Sequence, residues 1–226
     1  MPAGPPTPQG DLLGVVISLG GSVFNVNKTP EEISEIASSI KKVHENIERL
    51  GIVVGGGPLA REYINIGRKI GLGEFQCDLL GIEVSRLNAL LLSLLVDGVG
   101  PLNSIEKASH LMMEGKLVVM GGTEPGHTTD CVAALLAEAT SSELFIVSDV
   151  GYVYTEDPKR NEEAEPLEEV TLETLRKFSA RGRAGPHGVL DLSAIEVISR
   201  SKIRAWFIPK EEITNIPNVK GTKVKL

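Results

Sequence analysis

The 226-residue sequence is poor in aromatic residues (4%), has only two cysteines and has no excess of positive charge. Cys77 and Cys131 stand alone, outside any C-x-x-C pair. That excludes a disulfide framework and a zinc ribbon, and two reduced thiols are expected. A net charge of −7 excludes a nucleic-acid binder that works through a broad basic face. It leaves room for a phosphate site, which needs few cations and many backbone N–H groups. The longest near-continuous apolar run, Ala89 to Val96, is too short to span a bilayer. The opening MPAGPPTPQG lacks the basic and apolar stretches of a secretory signal. Its proline and glycine predict a disordered tail over residues 1–13. G-x-G-x-x-G and G-x-x-x-x-G-K-[ST] are both missing, which disfavours a dinucleotide fold and a Walker-type loop. The expectation is a cytoplasmic protein with neither a nucleic-acid partner nor a membrane.

What is present is an alternation of short apolar runs and helical patterns over residues 14–226, read as one domain. Gly14–Leu19, Ile52–Gly55, Leu117–Met120, Leu144–Asp149 and Arg204–Ile208 read as strands, with Thr222–Leu226 as a short terminal one. Pro30–Leu50, Pro58–Ile70, Asp78–Val96, Asn103–Glu114, Asp130–Ala139 and Leu190–Ser201 read as helices. Thr29, Pro30 and Glu32 spell the start of the first helix as a capping box with proline at its first position. Apolar, unalternating strands separated by helices predict an α/β fold: a mostly parallel sheet covered on both faces. Ligands of such sheets bind beyond the carboxyl ends of the strands.

The turns at those ends are rich in glycine: Gly20-Gly21, Gly55-Gly56-Gly57 and Gly121-Gly122, read as lying on alternate strands. Glycine lets backbone approach a ligand closely, and a helix N-terminus offers unpaired N–H groups. Together these turns predict a cradle for several phosphates. Arg61, one turn into the helix begun by Pro58, is placed to reach such a phosphate. The stretch VVMGGTEPGHTTD ends in Thr128, Thr129 and Asp130, which suit a helix start. An aspartate beside phosphates implies a metal or another cation.

The segments ISLGGSV, VVGGGPLAREYI, DLLGIEVSRLNALLL, VVMGGTEPGHTTD, AALLAEA and YTEDPKR, in this order, resemble the archaeal-type uridylate kinases of the amino-acid kinase superfamily. The resemblance implies a three-layer αβα sandwich, transfer of the ATP γ-phosphoryl group to UMP with Mg²⁺, and a homohexamer. It implies that the N-terminal half binds UMP and the C-terminal half ATP. By the same resemblance, Gly56 contacts the UMP phosphate and Asp78 the sugar. The loop Thr123, Glu124, Pro125, Gly126, His127, Thr128 and Thr129 wraps the UMP. Gly21, Ser22, Gly57 and Arg61 surround the ATP phosphates, Ser148 and Asp149 neighbour the ATP, and Tyr154 and Asp157 hold its base and ribose. Arg61 and Asp130 flank the transferred group, and the metal ligands are left open.

Two features depart from the family. Ser18 stands where many superfamily members carry lysine. In VSDVGYVYTEDP, Gly151 and Tyr152 replace the usual Asp-Gly pair, so either the bend moves to Gly151 or the ATP pocket is reshaped. Arg181 or Arg183, in SARGRAGPHG, is expected to close over the ATP. Three other readings compete: a molybdate or oxoanion storage subunit, a relative phosphorylating a carboxylate such as acetylglutamate, and a nucleotide sensor without turnover.

Overall fold

Runs of aliphatic and β-branched residues form the strands, as such residues do on a pleated surface. The computed structural model describes residues 14–158, 161–181 and 190–226. The expected tail therefore lies outside the described residues, as does Arg183. The strands are β1 (Val15–Leu19), β2 (Leu50–Val54), β3 (Val99–Leu102), β4 (Val118–Met120), β5 (Glu143–Val147), β6 (Glu169–Thr171), β7 (Ala205–Ile208) and β8 (Thr222–Lys225). They form one sheet in the order β3-β4-β2-β1-β5-β7-β8-β6, parallel except for the β7–β8 pair. The helices are α1 (Pro30–Asn46), α2 (Gly57–Lys69), α3 (Glu74–Val96), α4 (Ile105–Met113), α5 (Thr129–Thr140), α6 (Leu172–Arg181) and α7 (Leu192–Ser201).

The central strands show no polar alternation because both of their faces are buried. Val15, Ile17 and Leu19 pack with Ile36 and Ile40 of α1 and Leu92 of α3. Val16 turns the other way, into a core shared with Leu136 of α5 and Ile195 of α7. In β5, Phe145 and Val147 join the first core and Leu144 and Ile146 the second. Helices thus cover both sides of the sheet, the mixed α/β architecture that the pattern predicts.

Boundaries differ where the apolar period runs across a junction. The capping box forms, with Thr29 Oγ1 accepting from Glu32 N and Glu32 accepting from Thr29 N. The helix nonetheless stops at Asn46 rather than Leu50. Ile47 is extended (φ −122°, ψ 114°) and Leu50 already belongs to β2. Helix α3 starts at Glu74 rather than Asp78. It is long and apolar enough to cross a membrane by length and composition. Its inner side, however, carries Ala89, Leu92 and Val96 into the core. β3, β6 and α6 have no apolar run strong enough to announce them.

The three glycine-bearing strands are neighbours, β4-β2-β1, and do not alternate. Their carboxyl ends come level, with Leu19 opposite both Val54 and Val147, and Val53 opposite Met120. The turns after β1 and β2 then meet backbone to backbone. A Cβ on Gly21 would stand 2.1 Å from Gly57 N, and one on Gly57, at φ +68°, would stand 2.1 Å from Gly21 O. We expect Gly57→Ala to lower the denaturant midpoint by an amount corresponding to about 2–3 kcal/mol or more, combining backbone strain with the clash. An unchanged midpoint in urea would show that the turns can part freely.

Candidate active site

Polar side chains from α3 hold the turns at the carboxyl end of the sheet. Asn88 Nδ2 donates to Gly55 O at 2.9 Å, and Gly55 N donates across to Leu19 O at 3.0 Å. Gly56 is the N-cap of α2 and offers no side-chain oxygen, so the first N–H groups of that helix keep their outward-facing positive end. Asn25 Nδ2 donates to Gly21 O and Ser22 O and so stiffens the β1 turn. Gly20 N–H is engaged by Val147 O at 2.9 Å. Arg61 lies in the second turn of α2, is exposed, and forms no hydrogen bond or ion pair among the described residues.

The β4 turn leans on α3 in the same manner. A Cβ on Gly121 would stand 2.7 Å from Arg86 N. Ser85 Oγ accepts from Gly122 N at 2.7 Å, and the Arg86 guanidinium donates to Gly122 O (3.0 Å) and Thr123 O (2.9 Å). At the tip, Gly126 takes φ +85°, and its N–H donates to Asp78 Oδ2 at 2.9 Å. Asp78 and the Thr123–Thr129 loop are therefore brought together across 48 residues of chain. Thr123 Oγ1 is buried without a hydrogen-bond partner among the described residues. Such an orphaned hydroxyl is what a ligand-facing loop leaves when its ligand is not counted. His127 Nδ1 lies 3.3 Å from Glu124 Oε1 but makes no hydrogen bond.

Where the loop enters α5, Thr128 is the N-cap and accepts from Cys131 N at 3.1 Å. Its hydroxyl donates to Asp191 Oδ2. Asp130 stands one step further on and accepts from Ser18 Oγ at 2.5 Å. Ser18, in the place where relatives of the superfamily often carry lysine, thus serves the carboxylate with a hydroxyl. Burial lifts the Asp130 carboxyl from 3.8 to about 6; the Ser18 hydrogen bond opposes the rise and the Asp191 carboxylate adds to it.

On the other flank, β5 runs beside β1, and the Gly20 turn comes close to Ser148. The bend of VSDVGYVY falls on Gly151, at φ +69°, where a Cβ would stand 2.6 Å from Pro209 Cβ. Of the two outcomes left open by the sequence, the bend has moved to Gly151, and Tyr152 keeps an ordinary conformation. Gly151 N donates to Ser148 Oγ at 3.2 Å. Tyr152 meets Tyr154 edge to face with ring centroids 6.5 Å apart, and Tyr154 pairs with Pro166. Asp157 is buried, while Asp149 is exposed. Arg181 ends α6; Arg183 lies outside the described residues.

Ser85, Arg86, Asn88, Asn25 and Asp191 escaped the sequence reading as site residues. The first three are a polar interruption, S-R-L-N, in an otherwise apolar helix, which is a readable sign of a buried task. Asp191 falls inside the helix read as Leu190–Ser201, but α7 begins at Leu192 and Asp191 is its N-cap. A hollow of about 390 Å³ opens at the opposite end of the sheet, between the ends of α5 and α7. Both of its lining glutamates are already paired, Glu138 with Arg200 and Glu143 with Arg204.

The model of the amino acid kinase family matches residues 14–209. A uridylate kinase from Methanocaldococcus jannaschii is 37% identical over 93% of this chain and 99% of its own. One from Archaeoglobus fulgidus is 40% identical over 93% and 97%. The crystal structure of uridylate kinase from Archaeoglobus fulgidus superposes with a TM-score of 0.82 at 36% identity, over 94% of this chain and 100% of that one. A UMP kinase from Bacillus anthracis, at 21% identity and a TM-score of 0.74, shares the fold.

The raised Asp130 value makes a signed prediction. Between 3.8 and about 6 the folded protein holds a proton that the unfolded chain has released, so stability falls as pH rises through that window. Above it, the folded state bears the full penalty, at most about 3 kcal/mol. We expect Asp130→Asn to raise Tm relative to the parent at pH 7.5, with the gain shrinking toward pH 4. A gain of equal size at every pH would refute a buried, ionised Asp130.

Proposed function

The chain belongs to the amino acid kinase family, with the archaeal-type uridylate kinases as its near relatives, and on that basis we propose that it transfers the γ-phosphoryl group of ATP to UMP, giving UDP and ADP. The observation that carries this reading is the meeting of the β1, β2 and β4 turns at one level of the sheet, beside Arg61, which has no partner among the described residues. Glycine at the contact allows the backbones to close up, and the uncapped start of α2 points positive charge at the same place.

In this reading the N-terminal half takes UMP. Gly56 and the start of α2 receive its phosphate, Asp78 the sugar, and the Thr123–Thr129 loop closes over it, with the orphaned Thr123 hydroxyl as one donor. ATP lies on the β5 side, with its phosphates near Gly21, Ser22, Gly57 and Arg61 and its base and ribose near Ser148, Asp149, Tyr154 and Asp157. Gly20 N–H is already engaged with Val147, so the donors to the transferred group are Gly21 and Gly57. Catalysis is positioning and electrostatics, with no covalent intermediate. Among the described residues no group of three or more His, Cys, Asp or Glu forms a metal cage. That fits Mg²⁺ held chiefly by phosphate oxygens and water, where it would neutralise phosphate charge. Asp130, tied to Ser18, organises the start of α5.

The outer side of α3 also supports self-assembly. Leu87, Leu90, Leu91 and Leu94 are exposed at helical spacing, with Leu94 at 70%. A second copy packed across that stripe is the starting unit of the homohexamer implied by the resemblance. A cytoplasmic location fits this activity. The storage, acetylglutamate-type and sensor readings draw no support from these relatives, which are uridylate kinases by name.

A coupled ADP-release assay with Mg·ATP across UMP, CMP, dUMP and acetylglutamate tests the substrate; UMP-dependent release is expected, and its absence overturns the reading. Arg61→Ala should lower kcat/KM for UMP on the order of 100-fold at an unchanged Tm, and near-parental turnover would remove Arg61 from the site. Leu87→Glu with Leu91→Glu should reduce the sedimenting mass; a mass equal to the parent's would place the interface elsewhere.

A further inference from the structure

A threonine hydroxyl has one proton to give and two lone pairs to receive with. At Thr128 the proton goes to Asp191, and one lone pair takes Cys131 N–H. The hydroxyl therefore has no proton left for a phosphate oxygen, although it sits in the loop that closes over the acceptor. The donors left for a phosphate at this point, on the proposed function, are the Thr129 hydroxyl and the first N–H groups of α5, and their aim depends on how the start of α5 is held.

Asp191 is equally committed. Its Oδ1 accepts from Ser193 N (2.9 Å) and Ala194 N (3.1 Å), capping α7, while Oδ2 takes the Thr128 proton. One carboxylate therefore locks the N-termini of α5 and α7 to each other. The two helices come from different halves of the chain, 63 residues apart at this bond. The positive ends of two helices surround this carboxylate and favour its charge.

We infer that Asp191 is a positioning residue for phosphoryl transfer: through the Thr128 hydroxyl it sets the N-terminus of α5 against α7 and so aligns the acceptor loop with the donor half. The inference rests on the UMP kinase reading. It assigns Asp191 no contact with substrate and removes Thr128 from the phosphate donors. Alignment of this kind acts on kcat, because an error of about 1 Å between reacting groups costs on the order of 100-fold while each ligand still binds.

Three variants separate the roles. Asp191→Ser retains an N-cap oxygen for α7 but is too short to reach Thr128. Asp191→Asn retains both reaches, because its amide N–H₂ can donate to the Thr128 oxygen while its carbonyl caps α7. Thr128→Val removes the hydroxyl from the other side. We expect kcat for UMP to fall about tenfold or more in Asp191→Ser and Thr128→Val, with KM for UMP and for ATP each within about threefold of the parent. Asp191→Asn should recover most of the loss, and the Asp191→Ser, Thr128→Val double variant should be little worse than Thr128→Val alone. The inference is overturned by a kcat within twofold of the parent in Asp191→Ser, by a loss lying wholly in KM, or by Asp191→Asn being as poor as Asp191→Ser. Should Asp191→Ser fail to fold, Thr128→Val against Asp191→Asn decides alone. A parent protein inactive on UMP would defeat the functional reading instead, and an active parent indifferent to these changes would defeat only the bridge.

Discussion

Backbone rests on backbone where the turn after β1 meets the start of α2, at separations that no side chain would permit. Much else follows from that contact. It requires β1 and β2 to be adjacent and in step, which the register of Leu19 with Val54 provides. It requires glycine at Gly21, Gly55 and Gly57 for reasons of packing alone, before any ligand is considered. It also leaves the opening turn of α2 pointing along the line on which a phosphate would lie. The outward-facing N–H groups at this edge are therefore a by-product of how tightly the sheet's connections are drawn together.

Around that contact the molecule places its polar groups sparingly. Helix α3 carries Ser85, Arg86 and Asn88 inward as braces for two turns, within an otherwise hydrophobic surface. On the far face, Ser18 and Thr128 present hydroxyls to two carboxylates, Asp130 and Asp191, that repel each other in a poorly solvated place; the Ser18 hydrogen bond offsets part of the cost at Asp130. Stability given up at Asp130 is the usual mark of a site kept for chemistry and not for strength.

Much of this was legible in the residues. The doubly buried strands announced themselves by lacking alternation, and Thr29, Pro30 and Glu32 marked the start of α1 to the residue. The glycine turns do gather at one end of the sheet. Other features were hidden for physical reasons. Ile47 and Leu50 continue a helical period although the chain has already straightened, because both sides of the junction need apolar residues. The adjacency of the three turns depends on a strand order that no local pattern encodes. Asp191 and Thr128 meet only through tertiary packing, so neither could be read as half of a pair. The commitment of the Gly20 N–H to Val147 likewise depends on which strand lies next to β1.

One consequence attaches to the tip of the acceptor loop. Gly126 has nothing within 4 Å of where its side chain would be, and its N–H is moored to the Asp78 carboxylate alone. A single tether to a charged acceptor is worth about 1.5–3 kcal/mol. If that bond alone held the tip down, the middle of that range would favour the closed position roughly forty-five-fold. On the proposed function, a nucleotide passing this edge would need only this one knot to slip, while the braced backbone beneath it stays where it is.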